Sequence, residues 1–252
     1  MTTYPAKVKI ANTEIDNLTF QQAIDKIIEL SKYKCAHFVV TPNADHIVRL
    51  QNSTDFIEVY QKAALIVADG MPLIWAANWL KTPLRERITG ADLLPALCEE
   101  AAKRGLSIFL LGAPEGVGIQ AAHNLQQRYA GLNVAGVYSP PFGFERDPHQ
   151  NEIIIKQLNA SKADIVFVGL GSPKQEIWMA QEQKRLNVGV MLGIGAAIAF
   201  AAGTEKRAPR WMQKIGFEWL YRLLQDPKRL AKRYWDDFAF FRIIYRQWRG
   251  EI

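Results

Sequence analysis

The sequence lacks the residue patterns that build disulfide and metal sites. Its two cysteines, Cys35 and Cys98, form no C-x-x-C pair, so we interpret the chain as a cytosolic protein with free thiols. The four histidines show no ligand spacing with one another or with the cysteines. There is also no D-x-D pair, which many enzymes use to hold a divalent metal on a diphosphate. We therefore expect no metal and no resident cofactor.

Long apolar segments are also scarce. The longest, VGVMLGIGAAIAFAAG, covers residues 188–203 and contains four glycines, whereas a membrane-spanning helix needs about 20 apolar residues. We interpret it as a buried strand followed by a helix of small residues. The first 17 residues contain no apolar core of a signal peptide, so we expect none.

Two common nucleotide-binding motifs are missing as well. No predicted strand is followed by the dinucleotide fingerprint G-x-G-x-x-G, because GIGAAI at residues 193–198 lacks the third glycine. No G-x-x-x-x-G-K-[ST] phosphate loop occurs. These absences disfavour NAD and ATP as ligands and leave other nucleotides open.

One local pattern, by contrast, recurs five times. An apolar segment, a turn and a helical pattern follow one another in CAHFVVTPNADHIVRL, ALIVADGMPLIWAANWL, LSIFLLGAPEGVGIQAAHNL, ADIVFVGLGSPKQEIWMA and VGVMLGIGAAIAFAAG. Strands that alternate with helices predict βαβ units. Residues 1–203 are therefore predicted to form an α/β core of Rossmann-like architecture, a mostly parallel sheet with helices on both faces. At its start, VKIANTEIDNLTF predicts a hairpin and a helix from Phe20 to Ser31, opened by a capping box of Thr19 and Gln22.

This architecture predicts where a ligand binds. In an open parallel sheet every strand ends at the same edge, and the crevice there holds ligands. Helix N-termini at that edge carry free N–H groups that favour a phosphate. The residues that come soon after predicted strands should line this one cleft: Thr41, Asn43, Asp69, Gly112, Gly171, Gln175 and Gly195.

Two motifs at this edge have both a structural and a functional interpretation. In GLGSPKQEIW, Ser172 can cap a helix with Gln175 completing a capping box, or the glycines can let the backbone approach a phosphate or base. Asp69, in VADGMP, fits ordinary Asp-Gly turn chemistry. It also has the position of a general base at the mouth of the crevice. The residues alone leave both choices open.

The last 49 residues, 204–252, differ from the core in charge. They contain 12 Lys and Arg against six Asp and Glu, which accounts for the whole net charge of +6 and marks an anionic partner. We predict two helices here, the second opened by Asp226 and Pro227. The first carries an apolar stripe of Trp211, Ile215, Trp219 and Leu223. The second carries a longer stripe, Leu230, Tyr234, Phe238, Phe241, Tyr245 and Trp248, flanked by Arg229, Arg233, Arg242, Arg246 and Arg249.

This C-terminal segment has three candidate partners. Its stripe fits packing against the core, and it fits at least as well a helix in the headgroup layer of an anionic membrane. Nucleic acid is the weakest of the three, because aromatics in a helical stripe look buried, not displayed as stacking platforms. We predict no nucleic-acid partner.

Five blocks of the sequence, in this order, resemble the WecG/TagA/CpsF glycosyltransferases: TPNADHIVRL, VADGMPLIWAA, RITGADLLPAL, GLGSPKQEIWM and GTEKRAPRWMQKIGFEWLYRLLQDPKRLAKRY. The resemblance implies an inverting, metal-independent transfer of a hexose from a UDP-sugar to a sugar on polyprenyl diphosphate. It implies UDP-N-acetylmannosamine or its uronic acid as donor, although some members transfer other hexoses. The implied acceptor is the 4-hydroxyl of GlcNAc on undecaprenyl diphosphate, for teichoic acid, common antigen, capsule or exopolysaccharide.

The resemblance also implies roles for particular residues. Asp69 resembles the base that deprotonates the acceptor hydroxyl, with Thr41 and Asn43 in the same pocket as catalytic residues, and Asn43 also contacting the acceptor. Arg87 matches an arginine that holds the acceptor diphosphate, and Gln175 matches an active-site glutamine. As donor contacts we add this glutamine, the strand-end glycines and three arginines of the C-terminal segment: Gln175, Gly112, Gly169, Gly171, Gly195, Arg207, Arg210 and Arg222.

The resemblance further implies that residues 204–252 form a helical appendage that binds the membrane and closes the active site. The enzyme would be cytoplasmic and peripherally bound to the inner face of the bacterial plasma membrane. Family members oligomerise, and this sequence fixes no stoichiometry. On the residues alone, a nucleotide-dependent oxidoreductase or methyltransferase on the same fold, or a non-catalytic module for RNA or membrane, stays an alternative.

Overall fold

The computed structural model describes residues 6–251, and within them every side chain except those of Lys214, Arg229 and Arg233. The described chain opens with a hairpin of β1 (Lys7–Ile10) and β2 (Thr13–Asp16), followed by helix α1 (Phe20–Ser31).

The first helix begins as predicted. The Gln22 N–H donates to Thr19 Oγ1, and the Thr19 N–H donates to Gln22 Oε1 at 2.9 Å, so two otherwise unpaired amides at the start of α1 are satisfied. The predicted hairpin and the capping box are confirmed.

Six strands, all parallel to their neighbours, form the central sheet. They are β3 (His37–Val40), β4 (Leu65–Ile66), β5 (Ser107–Gly112), β6 (Asn133–Tyr138), β7 (Ile165–Gly169) and β8 (Val190–Gly193). Their order across the sheet is β4-β3-β8-β7-β5-β6. The predicted α/β sheet is confirmed and contains one strand more than the five predicted. The additional strand, β6, lies at the edge of the sheet.

Helices cover both faces of this sheet. In chain order they are α2 (Ala44–Asn52), α3 (Thr54–Lys62), α4 (Met71–Trp79), α5 (Gly90–Arg104), α6 (Val117–Arg128), α7 (Pro148–Ser161), α8 (Lys174–Glu182) and α9 (Ala197–Ala202). Neighbouring residues of a strand belong to opposite cores. Val40 packs in the core that contains Ile47 of α2, whereas Val39 packs in the core that contains Ile27 of α1.

The described part of the C-terminal appendage, residues 204–251, contains four helices where two were predicted. They are α10 (Arg210–Lys214), α11 (Glu218–Gln225), α12 (Pro227–Asp237) and α13 (Ala239–Trp248). The first predicted helix is interrupted at Gly216, which has φ +82°, and a Cβ there would lie 2.6 Å from the Trp75 ring. The second begins at Pro227 as predicted. It is interrupted at Phe238, whose N–H bonds to the carbonyl three residues earlier, as in a tighter 3₁₀ turn.

This second interruption changes which side chains are buried. Phe240 and Ile244 of α13 enter the core beside α2, and Leu230 of α12 is buried as well. The aromatic stripe is largely exposed, with Phe238 59% and Trp248 51% accessible, so the expectation that its aromatics are buried is wrong. The appendage therefore packs on the core through one face and leaves its aromatic face open.

Polar and aromatic contacts hold the end of the appendage against the first hairpin. The Gln247 side chain accepts from the Ala11 N–H at 2.7 Å and donates to the Lys9 carbonyl at 3.0 Å. Trp248 lies beside Trp79 of α4, with ring centroids 6.3 Å apart. Within residues 6–251, no helix is both long enough and apolar enough to traverse a bilayer.

Candidate active site

The carboxyl edge of the sheet is held by a row of contacts from one strand end to the next. Asp69, after β4, donates its N–H at 2.8 Å to the carbonyl of the residue that follows Thr41. Thr41, after β3, donates its hydroxyl to the Gly193 carbonyl at 3.0 Å. Gly195, after β8, donates its N–H to Gln175 Oε1 at 3.2 Å. Four of the predicted cleft residues therefore lie side by side along one edge of the sheet.

The strand-end glycines fall into two groups. A Cβ at Gly112 would lie 2.5 Å from the Gly169 carbonyl oxygen, and one at Gly169 would lie 2.9 Å from the Gly195 carbonyl oxygen. The close approach of neighbouring backbones therefore requires glycine at these two positions. Gly171 and Gly195 also have positive φ, but a Cβ there would meet open space, so the backbone is accessible at both. Their roles as donor contacts stay predictions.

Gln175 and Glu176 form a buried pair at the start of α8. The Gln175 amide donates to Glu176 Oε1 at 2.6 Å, which leaves its own oxygen for the Gly195 N–H. The predicted capping box with Ser172 is wrong, because α8 begins at Lys174 and the Gln175 N–H donates to the Gly171 carbonyl. Within the described chain the buried Ser172 Oγ has no hydrogen-bond partner.

Asn43 lies next to this row as the N-cap of α2. Its Oδ1 accepts from the His46 N–H at 3.3 Å, and the buried Thr41 side chain is likewise bonded to backbone. Both side chains therefore hold the crevice in shape. Their implied catalytic roles and the acceptor contact of Asn43 stay predictions.

Asp69 is the carboxylate at the mouth of the crevice. It is half-buried, and its side chain accepts a hydrogen bond from the Gly90 N–H at the start of α5. Burial, and secondly the charge of Glu218, raise the pKa of Asp69 to about 7, although Arg87, the Gly90 N–H and Arg207 oppose the rise. A carboxylate that titrates near neutral pH is suited to general-base chemistry.

Three charged side chains that act on the pKa of Asp69 belong to a group that we call the arginine cluster: Arg87, Arg207 and Glu218, with Asp92 as its fourth member. Arg207 donates two hydrogen bonds to the Asp92 carboxylate, from Nη1 to Oδ1 at 2.5 Å and from Nη2 to Oδ2 at 3.1 Å. Glu218 accepts from Arg87 Nη1 at 3.3 Å and from Arg207 Nε at 3.4 Å. Because Arg207 and Glu218 belong to the appendage and the other two to the core, the cluster joins both parts of the molecule.

Burial also affects the pKa values of groups in this cluster. It would raise the pKa of Asp92, but hydrogen bonds from Arg207 and Thr89 outweigh it, and the pKa lies below its ordinary value. Both arginine side chains are mostly buried, at 18–19% accessibility, where charge-assisted bonds are stronger than in water.

The other two predicted arginines lie elsewhere. Arg210 is exposed at the start of α10, and the Arg222 guanidinium stands 5.8 Å from the centre of the Phe200 ring in α9. Neither bonds to the arginine cluster in the structure as described. Of the three appendage arginines predicted as donor contacts, only Arg207 is therefore joined to it. No group of three or more His, Cys, Asp or Glu side chains among residues 6–251 is placed to hold a metal ion.

Sequence reasoning missed Asp92 and Glu218. A local signal for Asp92 was available, because it stands three residues after Thr89 in RITGAD and makes reciprocal bonds with that N-cap residue. For Glu218 no local signal exists. Its partner Arg87 is 131 residues away in the chain.

The sequence comparisons identify the family of the chain. The pattern of the family described as "Glycosyl transferase WecG/TagA/CpsF family" matches residues 8–251. Two Staphylococcus aureus proteins, each named N-acetylglucosaminyldiphosphoundecaprenol N-acetyl-beta-D-mannosaminyltransferase, are similar over 229 residues, 90% of this chain and 88% of theirs. The protein of strain MRSA252 is 34% identical and that of strain MW2 is 33% identical.

The family match covers almost the whole chain, and the match to these relatives covers nine tenths of it. The oxidoreductase, methyltransferase and non-catalytic alternatives are therefore set aside. The chain belongs to the WecG/TagA/CpsF family and is a glycosyltransferase.

Proposed function

We propose that this glycosyltransferase moves N-acetylmannosamine, or its uronic acid, from UDP to the 4-hydroxyl of GlcNAc on undecaprenyl diphosphate. The reaction inverts the anomeric centre, uses no metal and contributes to a cell-surface polysaccharide. The names of the two relatives, which specify N-acetylmannosaminyl transfer to N-acetylglucosaminyldiphosphoundecaprenol, support the substrates. The observation that carries the chemistry is one carboxylate, Asp69, whose pKa is influenced by the charges of two arginines, Arg87 and Arg207.

Asp69 acts as the general base. It removes the proton from the acceptor hydroxyl as that oxygen attacks C1 of the donor sugar. The new C1–O bond forms while the bond from C1 to the UDP oxygen breaks, and UDP leaves with the electron pair. A single direct displacement inverts C1 and needs one base, not the two carboxylates of a glycosidase.

The arginines supply the charge stabilisation that this displacement needs. Negative charge grows on the diphosphate oxygen as UDP leaves, and guanidinium groups bind such oxygens through charge-assisted bonds. Arg207 can bind this departing diphosphate. Arg87, which the resemblance assigns to the acceptor diphosphate, shares the carboxylates of Asp92 and Glu218 with Arg207, so the two arginines lie in one region of the crevice. This neutralisation takes the place of a divalent metal.

Membrane association is part of the proposal. The open aromatic face of the appendage includes Trp235 and Phe238, and Trp75 and Trp79 of α4 add exposed rings from the core. A cavity of about 350 Å³ beside Trp79 is lined by two lysines, Lys9 and Lys81, and by Trp248. Aromatic rings with basic side chains at their margin suit the headgroup layer of an anionic membrane. We place the enzyme at the inner face of the bacterial plasma membrane, peripherally bound.

A transfer assay tests the proposed reaction. The full chain is incubated with a synthetic lipid-diphosphate-GlcNAc acceptor and a panel of UDP-sugars, with and without EDTA. We expect transfer from the N-acetylmannosamine type of donor at a rate that EDTA does not change. If no UDP-sugar is used, the proposed function is wrong.

The variant Asp69→Asn tests the base in the same assay. We expect kcat to fall by about 10³ because the amide cannot take the proton, while UDP binding is retained. Asp25→Asn, an exposed change on α1, is the matched control and should leave the rate unchanged. Near-normal turnover of Asp69→Asn would refute the assignment of the base.

A further inference from the structure

The arginine cluster contains no spare positive charge. Arg87 and Arg207 contribute two positive charges, and Asp92 and Glu218 contribute two negative ones. An anionic ligand that binds these arginines must therefore compete with a carboxylate that is already there. The question is which of the two carboxylates gives way.

Asp92 is the firmly held one. It receives the terminal nitrogens of Arg207 at 2.5 and 3.1 Å, which is the two-pronged geometry that guanidinium groups favour. It also accepts from the Thr89 hydroxyl at 2.7 Å, and its own N–H donates to Thr89 Oγ1 at 3.1 Å.

Glu218 is held more weakly. It offers one oxygen to each arginine, at 3.3 and 3.4 Å, and these distances are long for charge-assisted bonds. It stands in the first turn of α11, a short helix of the appendage without a side-chain cap. Glu218 can therefore leave with a small shift of the appendage, whereas Asp92 belongs to a core helix.

We propose that Glu218 is a displaceable occupant of the diphosphate site: its carboxylate pairs with Arg87 and Arg207 while the site is empty and leaves when a diphosphate binds. Asp92 stays in place and positions Arg207. The identity of the natural diphosphate rests on the proposed function, but the competition between carboxylate and diphosphate does not. Glu218 thus gives Arg87, whose other carboxylate partner Asp92 is 3.7 Å away, a closer ion-pair partner when no diphosphate is bound, since an unpaired guanidinium that is mostly buried would be costly.

The displacement has a measurable consequence. When Glu218 is replaced by a neutral side chain, its ion pairs with the two arginines are lost. A diphosphate then no longer has to compete with the Glu218 carboxylate. We expect Glu218→Gln to bind inorganic diphosphate about tenfold more tightly than the wild type, which corresponds to about 1.4 kcal/mol. Glu205→Gln removes the same charge from an exposed position of the appendage and should stay within about twofold of the wild type.

Isothermal titration of the full chain with inorganic diphosphate measures this effect, with thermal melting of each variant alongside. Tighter binding by Glu218→Gln, and by Glu218→Ala in the same direction, supports the proposal. Unchanged or weaker binding overturns it. Loss of folding in both variants also overturns it, because Glu218 would then be a structural clamp.

Sugar transfer is measured on the same preparations, so the two hypotheses can fail separately. A wild type that binds diphosphate but transfers no sugar refutes the proposed function and leaves the displacement to be decided by the titration. A wild type that transfers sugar, with a Glu218→Gln variant that binds diphosphate no more tightly, refutes the displacement alone.

Discussion

The core and the appendage contribute to the same site through different kinds of contact. The core fixes Asp69 through backbone contacts, since its N–H bonds at 2.8 Å to a carbonyl after β3 and its carboxylate accepts from the Gly90 N–H. The appendage contributes Arg207 and Glu218 through their side chains, and Glu218 makes contacts of 3.3 and 3.4 Å. The position of the base is thus a property of the sheet, while part of the charge in the site depends on a segment that can shift.

The core therefore positions the base, whereas the appendage contributes charge to the site and carries the exposed aromatic face. Variants of the core should change the position or protonation of the base and, through the sheet, the stability of the fold. Variants of the exposed appendage face should change lipid contact and leave the core folded. The following predictions test that division.

The largest expected effect is on folding of the core edge. Gly112→Ala should lower the free energy of unfolding by more than about 3 kcal/mol, because φ is +109° and the Cβ would lie 2.5 Å from the Gly169 oxygen. Gly171→Ala, with φ +80° and open space for its Cβ, should cost only about 1 kcal/mol. Urea unfolding measures both. Equal losses would show that the close approach of neighbouring strand ends does not matter.

A smaller effect concerns the pH dependence of stability. The pKa of Asp69 is raised to about 7 in the folded protein, so ionisation between about pH 4 and 7 destabilises the fold progressively. Asp69→Asn should therefore stabilise the protein by about 2 kcal/mol at pH 8, a value reduced for the partial exposure of Asp69, and have little effect near pH 4. Urea unfolding at both pH values measures it. The same stability change at both would contradict the raised pKa.

The smallest predicted effect is on lipid contact. Replacing Trp79 and Trp248 together by Ser should lower binding to anionic liposomes about tenfold, because two exposed rings beside the lysine-lined cavity are lost. Tyr33→Ser, which removes an exposed ring near the start of β3, is the matched control. Liposome sedimentation measures both variants. An equal loss in the control would mean that this aromatic face has no special role.

The sequence predicts those parts of the fold that depend on local signals. The capping box of Thr19 and Gln22 is confirmed because both partners lie within one turn. The analogous box of Ser172 and Gln175 is wrong because the Gln175 side chain is instead bonded to Glu176 and, through a tertiary contact that the local pattern does not contain, to Gly195. Local and tertiary interactions compete for the same side chain, and here the tertiary ones prevail.

Edge and appendage elements were harder to predict for related reasons. Strand β6 has only partly buried or exposed residues and contains Gly136, so its apolar pattern is weak. The turn at Gly216 depends on its fit against Trp75, which a helical stripe in the sequence does not reveal. Placing Asp69 at the crevice needed only the strand–helix pattern, whereas Glu218 could be found only from the folded structure.

We propose that the appendage completes the charged part of the active site through Arg207. Deleting residues 204–252 would also expose the core surface under Phe240, so single substitutions are the cleaner test. The decisive measurement is kcat/KM for sugar transfer by Arg207→Ala and Arg210→Ala, at equal liposome binding. We predict a loss of about 10² for Arg207→Ala and less than about threefold for the exposed Arg210→Ala. An undiminished rate in Arg207→Ala, or equal losses in both variants, would contradict the account.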